Sequence, residues 1–202
     1  MPERRGGVTM GRMGFYFDAV NCIGCRTCQI ACKDKNALPV GMLFRRVVTV
    51  EAGRFPEGSF FHISEGCNHC EDPACVSNCP SGACAKNEQG LVTIDEEVCI
   101  GCRSCVMSCP YGQPQYDAEA SVSRKCDGCS DLTAAGGNPV CVDSCLMRCL
   151  EFGDLDDLRA LHGEGLVSEI PVLPSASETN PSLLINPRAC ALEEEFTVQS
   201  VY

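Results

Sequence analysis

Cysteines are the residues of this sequence whose type and spacing could do chemistry. The chain has 202 residues, and 19 of them are cysteine. Two cysteine runs have the spacing C-x2-C-x2-C-x3-C, and two more keep this order with residues inserted before the third cysteine. The four groups are Cys22, Cys25, Cys28 and Cys32; Cys67, Cys70, Cys75 and Cys79; Cys99, Cys102, Cys105 and Cys109; and Cys126, Cys129, Cys141 and Cys145. Thiolates at this spacing are typical ligands of [4Fe–4S] clusters, so the sequence predicts an iron–sulfur protein.

The spacing has a physical reason, because a cubane cluster needs thiolates that point inward from several directions. Two residues between cysteines form a tight loop that surrounds one cluster with three sulfurs and aims backbone N–H groups at them. Gly24 and Gly101 lie inside such loops, where we expect a positive φ or a close backbone contact. In two-cluster ferredoxins the fourth cysteine of the run binds the other cluster. Each group is therefore predicted to give three ligands to one cluster and one ligand to a neighbour.

Two other uses of cysteine fit the spacing less well. Structural zinc takes four ligands, commonly as two C-x2-4-C pairs, and this does not explain the third and fourth cysteines of each run. Disulfides require an oxidising compartment, and an odd total of 19 cysteines leaves one thiol unpaired. Iron–sulfur clusters are the favoured interpretation, and a structural zinc scaffold is the alternative from a different class.

Four residues outside the predicted ligand sets receive a structural interpretation. Cys84 and Cys149 lie just beyond fourth-position cysteines and are predicted to pack as small buried groups near clusters. Cys190 lies in the C-terminal segment, far from any pattern. His69 lies between two predicted ligands and is interpreted as a local hydrogen-bonding or packing residue rather than as an iron ligand.

Short strands are the elements that must position these cysteines. The segments GFYFDAV, RRVVTVE, FFHIS and LVTID are predicted to be strands, and short helices are expected after the cysteine runs. The fold class is α+β, with two ferredoxin-like modules. Residues 67–110 form the predicted contiguous module, while residues 14–66 and 111–152 form a split module that pairs the first and fourth groups.

The C-terminal part has a different character. Residues 153–202 are predicted to contain a short helix followed by an extended arm that binds a partner, with a disordered tail as the alternative. DLDDLRALHG supplies the helix, with Asp154 as N-cap and Gly163 as its end. The following segment has several prolines and no helical or strand period, yet it is too apolar in patches for a flexible linker.

Charge and hydropathy limit the partners. The net charge is -11, which argues against nucleic acid and anionic membrane surfaces. No apolar stretch approaches the ~18 residues of a membrane span. No apolar segment follows Arg4 and Arg5, so residues 1–13 are interpreted as a flexible leader, or as a start placed too early, and not as an export signal.

Beyond these features, the sequence resembles a known family over nearly its whole length, from Gly14 to about Ile185. It is similar to the four-cluster iron–sulfur (B) subunit of dimethyl sulfoxide reductase and its relatives in molybdopterin oxidoreductase complexes. The stretches that carry the resemblance are GFYFDAVNCIGCRTCQIACKDKNAL, CNHCEDPACVSNCPSGA, CIGCRSCVMSCPYGQPQYD, KCDGC, SCLMRCLEFGDLDDLR and NPSLLI.

The resemblance implies four [4Fe–4S] clusters with defined ligands. The implied sets are Cys22, Cys25, Cys28 and Cys145; Cys126, Cys129, Cys141 and Cys32; Cys67, Cys70, Cys75 and Cys109; and Cys99, Cys102, Cys105 and Cys79.

It further implies an electron-transfer subunit with no catalytic residue or substrate site of its own. The implied partners are a large molybdopterin catalytic subunit and an integral membrane anchor subunit that supplies electrons from quinol. The expected location is peripheral, on the outer face of the cytoplasmic membrane after export with the catalytic subunit, with a cytoplasmic location as the alternative. The rival function is a polyferredoxin-type subunit of a cytoplasmic hydrogenase or formate dehydrogenase complex.

Overall fold

The computed structural model describes residues 11–54 and 56–199. Most of the predicted leader, residues 1–10, lies outside the described residues. Met13 is already the first residue of a strand, and the Arg12 guanidinium donates to Ser182 Oγ at 2.9 Å and to Asn180 Oδ1 at 3.2 Å. The structured part of the protein therefore includes the last residues of that predicted segment.

The described residues form short strands and short helices in alternation, as an α+β fold. The strands are β1 Met13–Asp18, β2 Arg45–Ala52, β3 Ser59–Gly66, β4 Cys84–Lys86, β5 Val92–Ile94, β6 Gln115–Asp117, β7 Val122–Arg124, β8 Leu150–Asp154, β9 Leu183–Asn186 and β10 Phe196–Gln199. The α-helices are α1 Thr27–Lys35, α2 Ala74–Ser77, α3 Ser104–Ser108, α4 Ser130–Ala134, α5 Val140–Asp143 and α6 Leu155–His162. Two 3-10 turns, at Ala176–Glu178 and Ala189–Leu192, complete the C-terminal part.

Two three-stranded sheets carry the larger part of the core. In the first, β1 lies between antiparallel β8 and parallel β9; in the second, β2 lies between antiparallel β10 and β3. Their inward side chains share one core, which includes Phe15 and Phe17 from β1 and Val50 and Phe61 from the β2–β3 pair. The hairpins β4–β5 and β6–β7 are separate two-stranded sheets beside the cysteine loops.

The four predicted strands are confirmed as β1, β2, β3 and β5. β-branched and aromatic residues, which fit a half-buried pleated surface, dominate these strands. Helices were expected after the cysteine runs, but α1 and α3 begin inside the first and third runs, before the third cysteine of each. Helix α6 is also confirmed: Asp154 Oδ1 accepts from the N–H groups of Asp156 and Asp157, and Gly163 follows the last residue with φ 78°.

The C-terminal arm differs in part from the prediction, because it lies across its own chain. Residues 183–186 pair with β1, residues 196–199 pair with β2, and Leu184 and Ile185 are 1% exposed. Within the arm, Val167 and Ile185 exchange backbone hydrogen bonds. The free edges of β1 and β2 supply the partners that a single-sequence pattern of the arm cannot reveal.

The arm also holds one of the cysteine loops. Ser182 N–H donates to the carbonyl of Asn68 at 3.0 Å, and Glu71 N–H donates to that of Asn180 at 2.8 Å. Ser182 Oγ donates to the carbonyl of His69 at 2.9 Å. The loop that contains Cys67 and Cys70 is thus fixed by residues more than a hundred positions later in the sequence.

The division into two modules stays a prediction, and one feature of the packing agrees with the predicted contiguous module. One group of buried side chains lies wholly within residues 67–110 and contains Cys75, Cys84, Val92 and Cys105. Within residues 11–54 and 56–199, none of the helices has the length and apolar character that crossing a membrane requires.

Candidate functional site

The structure places cysteines of different groups beside one another, and we call the four sets that correspond to the implied ligand sets quartets. The first quartet, Cys22, Cys25, Cys28 and Cys145, lines one cavity together with Cys149. The first three sulfurs come from the segment between β1 and the start of α1, and the fourth comes from the segment between α5 and β8.

The second and third quartets exchange their fourth members in the same manner. Cys67, Cys70 and Cys75 line a second cavity together with Cys109, the last cysteine of the next group. Cys99, Cys102 and Cys105 line a third together with Cys79 and Cys84. Helices α2 and α3 pack against each other, and this packing brings the fourth cysteine that follows each helix close to the other group.

The fourth quartet combines Cys32 with Cys126, Cys129 and Cys141. Helix α1, which carries Cys32, contacts α5, which carries Cys141, and Cys126 packs against the buried cluster that contains Cys32. Burial raises the pKa of the Cys32 thiol to about 12, and the neighbouring thiolates of Cys141 and Cys129 add to this shift. Burial also raises the pKa of Cys126 well above its usual value, with further contributions from Cys67 and Cys32. Thiolates in such surroundings need a bound cation to stay charged, which an iron–sulfur core would supply.

Two glycines in the cysteine loops have the predicted positive φ and close contacts. Gly24 and Gly101 have φ 66° and 67°. A Cβ on Gly24 would lie 2.6 Å from the His62 ring, and one on Gly101 would lie 2.5 Å from the Ser121 carbonyl oxygen. Only a residue without a side chain fits these turns, because both the conformation and the space exclude a Cβ.

Backbone N–H groups point at sulfurs of the first, third and fourth quartets. The donors and acceptors are Cys84 N to Cys79 Sγ, Ser123 N to Cys99 Sγ and Gly128 N to Cys126 Sγ, each at 3.4 Å, and Cys149 N to Cys145 Sγ at 3.2 Å. Such bonds stabilise thiolates and tune the potential of a bound cluster. Cys84 and Cys149 are buried, as predicted, and they contribute two of these backbone donors.

Three buried hydroxyls without a hydrogen-bond partner face the cavities. Tyr111 and Thr179 line the cavity of the second quartet, and Ser123 lines that of the third. Buried polar atoms are rarely left unpaired, and each of these oxygens carries a proton to donate. Four thiolates around a cavity, with spare donors aimed at it, fit a [4Fe–4S] cluster, whose sulfurs accept hydrogen bonds.

A single metal ion fits the arrangement less well. Zinc would need all of its ligand atoms within about 2.3 Å of one point. Among the residues that the structure describes, no three His, Cys, Asp or Glu side chains converge in this way. The first three quartets surround cavities instead, and this is the arrangement that a larger cofactor requires.

Two quartets have one exposed member each. Cys25 and Cys102 are exposed, and a hydroxyl two residues later lies near each sulfur: Thr27 Oγ1 at 3.4 Å and Ser104 Oγ at 3.5 Å. These hydroxyls lower the pKa of both thiols. The first and third quartets thus reach the surface.

Two buried cations lie among the quartets, and the sequence carries no pattern that reveals them. Arg45 is 4% exposed and Lys125 is 6% exposed. Arg45 Nη1 donates to Ser64 Oγ at 3.1 Å, and that oxygen lies 3.3 Å from Cys28 Sγ. Lys125 Nζ donates to the carbonyls of Val92 and Cys126. Buried charges without counterions are costly, so these cations fit a site that carries negative charge.

Known proteins with similar sequences agree with this chemistry. The 4Fe-4S dicluster domain family matches residues 59–155. The B subunit of the anaerobic dimethyl sulfoxide reductase of Escherichia coli (strain K12) is 46% identical, over 87% of the present sequence and 89% of that protein. Its counterpart from Haemophilus influenzae is 42% identical over 90% and 92% of the two sequences. The B subunit of the polysulfide reductase of Wolinella succinogenes is 34% identical over 87% and 94%. The grouped cysteines and this similarity show that the protein belongs to the family of iron–sulfur B subunits of anaerobic dimethyl sulfoxide reductases.

Proposed function

We propose that this protein is an electron-transfer subunit that binds four [4Fe–4S] clusters and relays electrons between a membrane anchor subunit and a molybdopterin catalytic subunit, such as a dimethyl sulfoxide reductase. The observation that carries the proposal is that the fourth cysteine of one group lines the cavity of another group, as Cys145, Cys109 and Cys79 do. When bound, a [4Fe–4S] cluster accepts and gives up one electron at a time.

The residues of this protein have three tasks in such a relay. The cysteine quartets hold the cofactors, and the loops between them set their separation. Backbone N–H groups and the hydroxyls of Tyr111, Ser123 and Thr179 supply hydrogen bonds toward the sulfurs. The mixed core of Phe15, Phe17 and their neighbours excludes water from the interior. No residue is assigned a catalytic role.

The order of the quartets supports a linear path. Cys28 and Cys141 pack in one buried cluster, and Cys75 and Cys105 pack in another. His69, from the loop of the second quartet, lies 3.8 Å from Cys126 Sγ of the fourth. These contacts support the order first, fourth, second, third. Because the exposed thiols Cys25 and Cys102 belong to the first and the last quartet of this path, its two ends are accessible to partners.

The proposed partners and location rest on the family. The relatives are named as B subunits of dimethyl sulfoxide and polysulfide reductases, so a catalytic subunit and a membrane anchor subunit are the proposed partners. The proposed location is peripheral, through these subunits, on the outer face of the cytoplasmic membrane.

Iron and sulfide analysis of anaerobically purified protein tests the proposal. The expected content is about sixteen irons per molecule, roughly four per cluster, with a matching amount of sulfide. EPR during a reductive titration should resolve four one-electron couples, and mass spectrometry of the copurifying large subunit should identify a molybdopterin enzyme. A colourless sample loaded with zinc would refute the proposal. A copurifying hydrogenase subunit would instead support the rival function, a polyferredoxin-type subunit.

A further inference from the structure

We infer that His69 bridges two neighbouring clusters: its backbone belongs to the ligand loop of the second quartet, and its Nε2–H donates a hydrogen bond to the Cys126 thiolate of the fourth. His69 acts through that ligand, so it is a positioning residue that tunes the potential of one cluster. This inference rests on the proposed function, because it requires that the quartets hold clusters.

The backbone of His69 is fixed by its loop. It lies between Cys67 and Cys70, its φ is 43°, and the residue is 1% exposed. Its carbonyl accepts from Ser182 Oγ at 2.9 Å. Histidine is one of the few residues that adopt this left-handed conformation readily. The side chain is therefore aimed from a rigid support.

The direction of the hydrogen bond follows from the other ring nitrogen. Val92 N–H donates to His69 Nδ1 at 3.0 Å. A nitrogen that accepts from a backbone N–H carries no proton, so the proton of the ring lies on Nε2. Nε2 is 3.8 Å from Cys126 Sγ, within range for a hydrogen bond to sulfur.

Close packing keeps the ring next to the loop of the fourth quartet. A Cβ placed on Gly128 would lie 3.6 Å from His69 Nε2, which is an ordinary van der Waals distance, so the ring lies directly beside this loop. The ring also stacks on Phe15, with 6.3 Å between ring centroids. Lys125 Nζ donates to the carbonyls of Val92 and Cys126. The same two residues contact the His69 ring, Val92 through its N–H and Cys126 through its Sγ.

The expected effect has a definite sign. A hydrogen bond to a ligand sulfur stabilises the more negative, reduced state of a cluster more than the oxidised state, so it raises the reduction potential. Removal of the donor should therefore make one cluster harder to reduce. The cluster affected is that of Cys126, Cys129, Cys141 and Cys32, while the remaining three should keep their potentials.

The test compares His69→Phe, which keeps a ring but removes the donor, with His69→Gln, which keeps a side-chain N–H. In a redox titration followed by EPR, His69→Phe should lower the reduction equilibrium constant of one cluster about tenfold, which is a shift of about 59 mV for one electron. In His69→Gln the potential of that cluster should stay close to the value in the parent protein. Four clusters with unchanged potentials in His69→Phe would overturn the inference and leave the proposed function intact, whereas a parent protein without clusters would refute both.

A second measurement covers the case in which His69→Phe does not fold. The sequence has three histidines, so pulsed EPR on protein labelled with the heavy nitrogen isotope in histidine reports few nuclei. The parent should show nitrogen coupling to the reduced cluster of the Cys126 set. His62→Gln is the matched control. The hydrogen bond of His62 Nδ1 is with Thr49 Oγ1, at 3.0 Å, so this substitution should leave the coupling unchanged. Absence of the coupling in the parent, or its loss in the His62→Gln control, would overturn the inference.

Discussion

The exposed thiols Cys25 and Cys102 are the residues at which the quartets meet solvent. Each lies in the same local sequence, C-I-G-C-R-[ST]-C, and each has a hydroxyl within 3.5 Å of its sulfur. The other quartet members are half-buried or buried. A substitution at an exposed ligand removes a sulfur without opening the core, so it reports on cluster binding more cleanly than one at a buried ligand.

Cys102→Ala should damage one cluster and leave three. The iron that Cys102 would hold loses its ligand, so iron should fall from about sixteen per molecule to between about twelve and fifteen, since each cluster contains four. EPR should show the change in one cluster only. Cys190→Ala is the control, because Cys190 is buried outside the quartets and its loss should leave the iron content unchanged. Full iron in Cys102→Ala would refute its ligand role.

Helix α6 and the arm that follows it are the elements that close the first sheet. α6 contacts β1, β8 and β9, and β9 pairs along β1. The helix has one strong local signal, the Asp154 cap, whereas the arm depends on contacts with distant parts of the sequence. We therefore expect these two elements to respond differently to substitution and deletion.

Asp154→Ala should destabilise the protein modestly. The side chain satisfies the free N–H groups of Asp156 and Asp157 at 2.8 and 3.2 Å, and such a cap contributes about 1 kcal/mol. The apparent melting temperature should fall by about 2–4 °C for a protein of this size. Asp156→Ala is the comparison, because its exposed pair with Arg159 at 3.6 Å should matter less. A larger shift in Asp156→Ala would contradict the capping role.

Deletion of residues 164–202 should damage the protein itself, and not only its association with a partner. The deletion removes β9 with the buried side chains Leu184 and Ile185, and it releases the loop of Cys67 and Cys70 from Ser182. We expect loss of iron from the second quartet first, measured by EPR and iron content.

A shorter deletion of residues 194–202 is the matched control for the arm. Of the described elements it removes only β10, whose residues Thr197, Val198 and Gln199 are exposed, and it should retain all of the iron. Full iron and an unchanged melting temperature after the longer deletion would contradict a structural role for the arm.

At the scale of the whole molecule, the quartets join segments that are distant in the sequence. The first quartet joins the β1–α1 loop to Cys145, and the fourth joins Cys32 to the segment 126–141. The protein has no tryptophan and only 6% aromatic residues, so the apolar core is modest. Bound clusters are therefore expected to be part of what holds the fold together.

Removal of the clusters by a chelator and an oxidant should unfold much of the protein. Without them the cavities between the cysteines are unfilled and the links between distant segments are lost. Limited proteolysis should become many times faster, and reconstitution with iron and sulfide should restore resistance. A cluster-free protein with unchanged proteolysis and a cooperative melting transition would contradict this role.

The elements of this protein differ in how strongly their own residues predict them. Strands β2 and β3 and the cap of α6 were predictable because their signals lie within a few neighbouring residues. Strand β9 was not, because its apolar residues follow no period and become a strand only through pairing with β1. The burial of Arg45 was not predicted, and His69 was predicted only as a local hydrogen-bonding or packing residue, since the burial of both comes from elements far away in the sequence.

The order of the amino acids is enough to indicate the chemistry of this protein: four groups of cysteines at cluster spacing and glycines in the turns between them. These are local properties, because a thiolate loop is built within a few residues. The folded molecule adds which sulfurs lie together in space, which cations and hydroxyls face them, and which two thiols remain at the surface. Those properties depend on burial and on pairing between distant segments, and no local spacing encodes them.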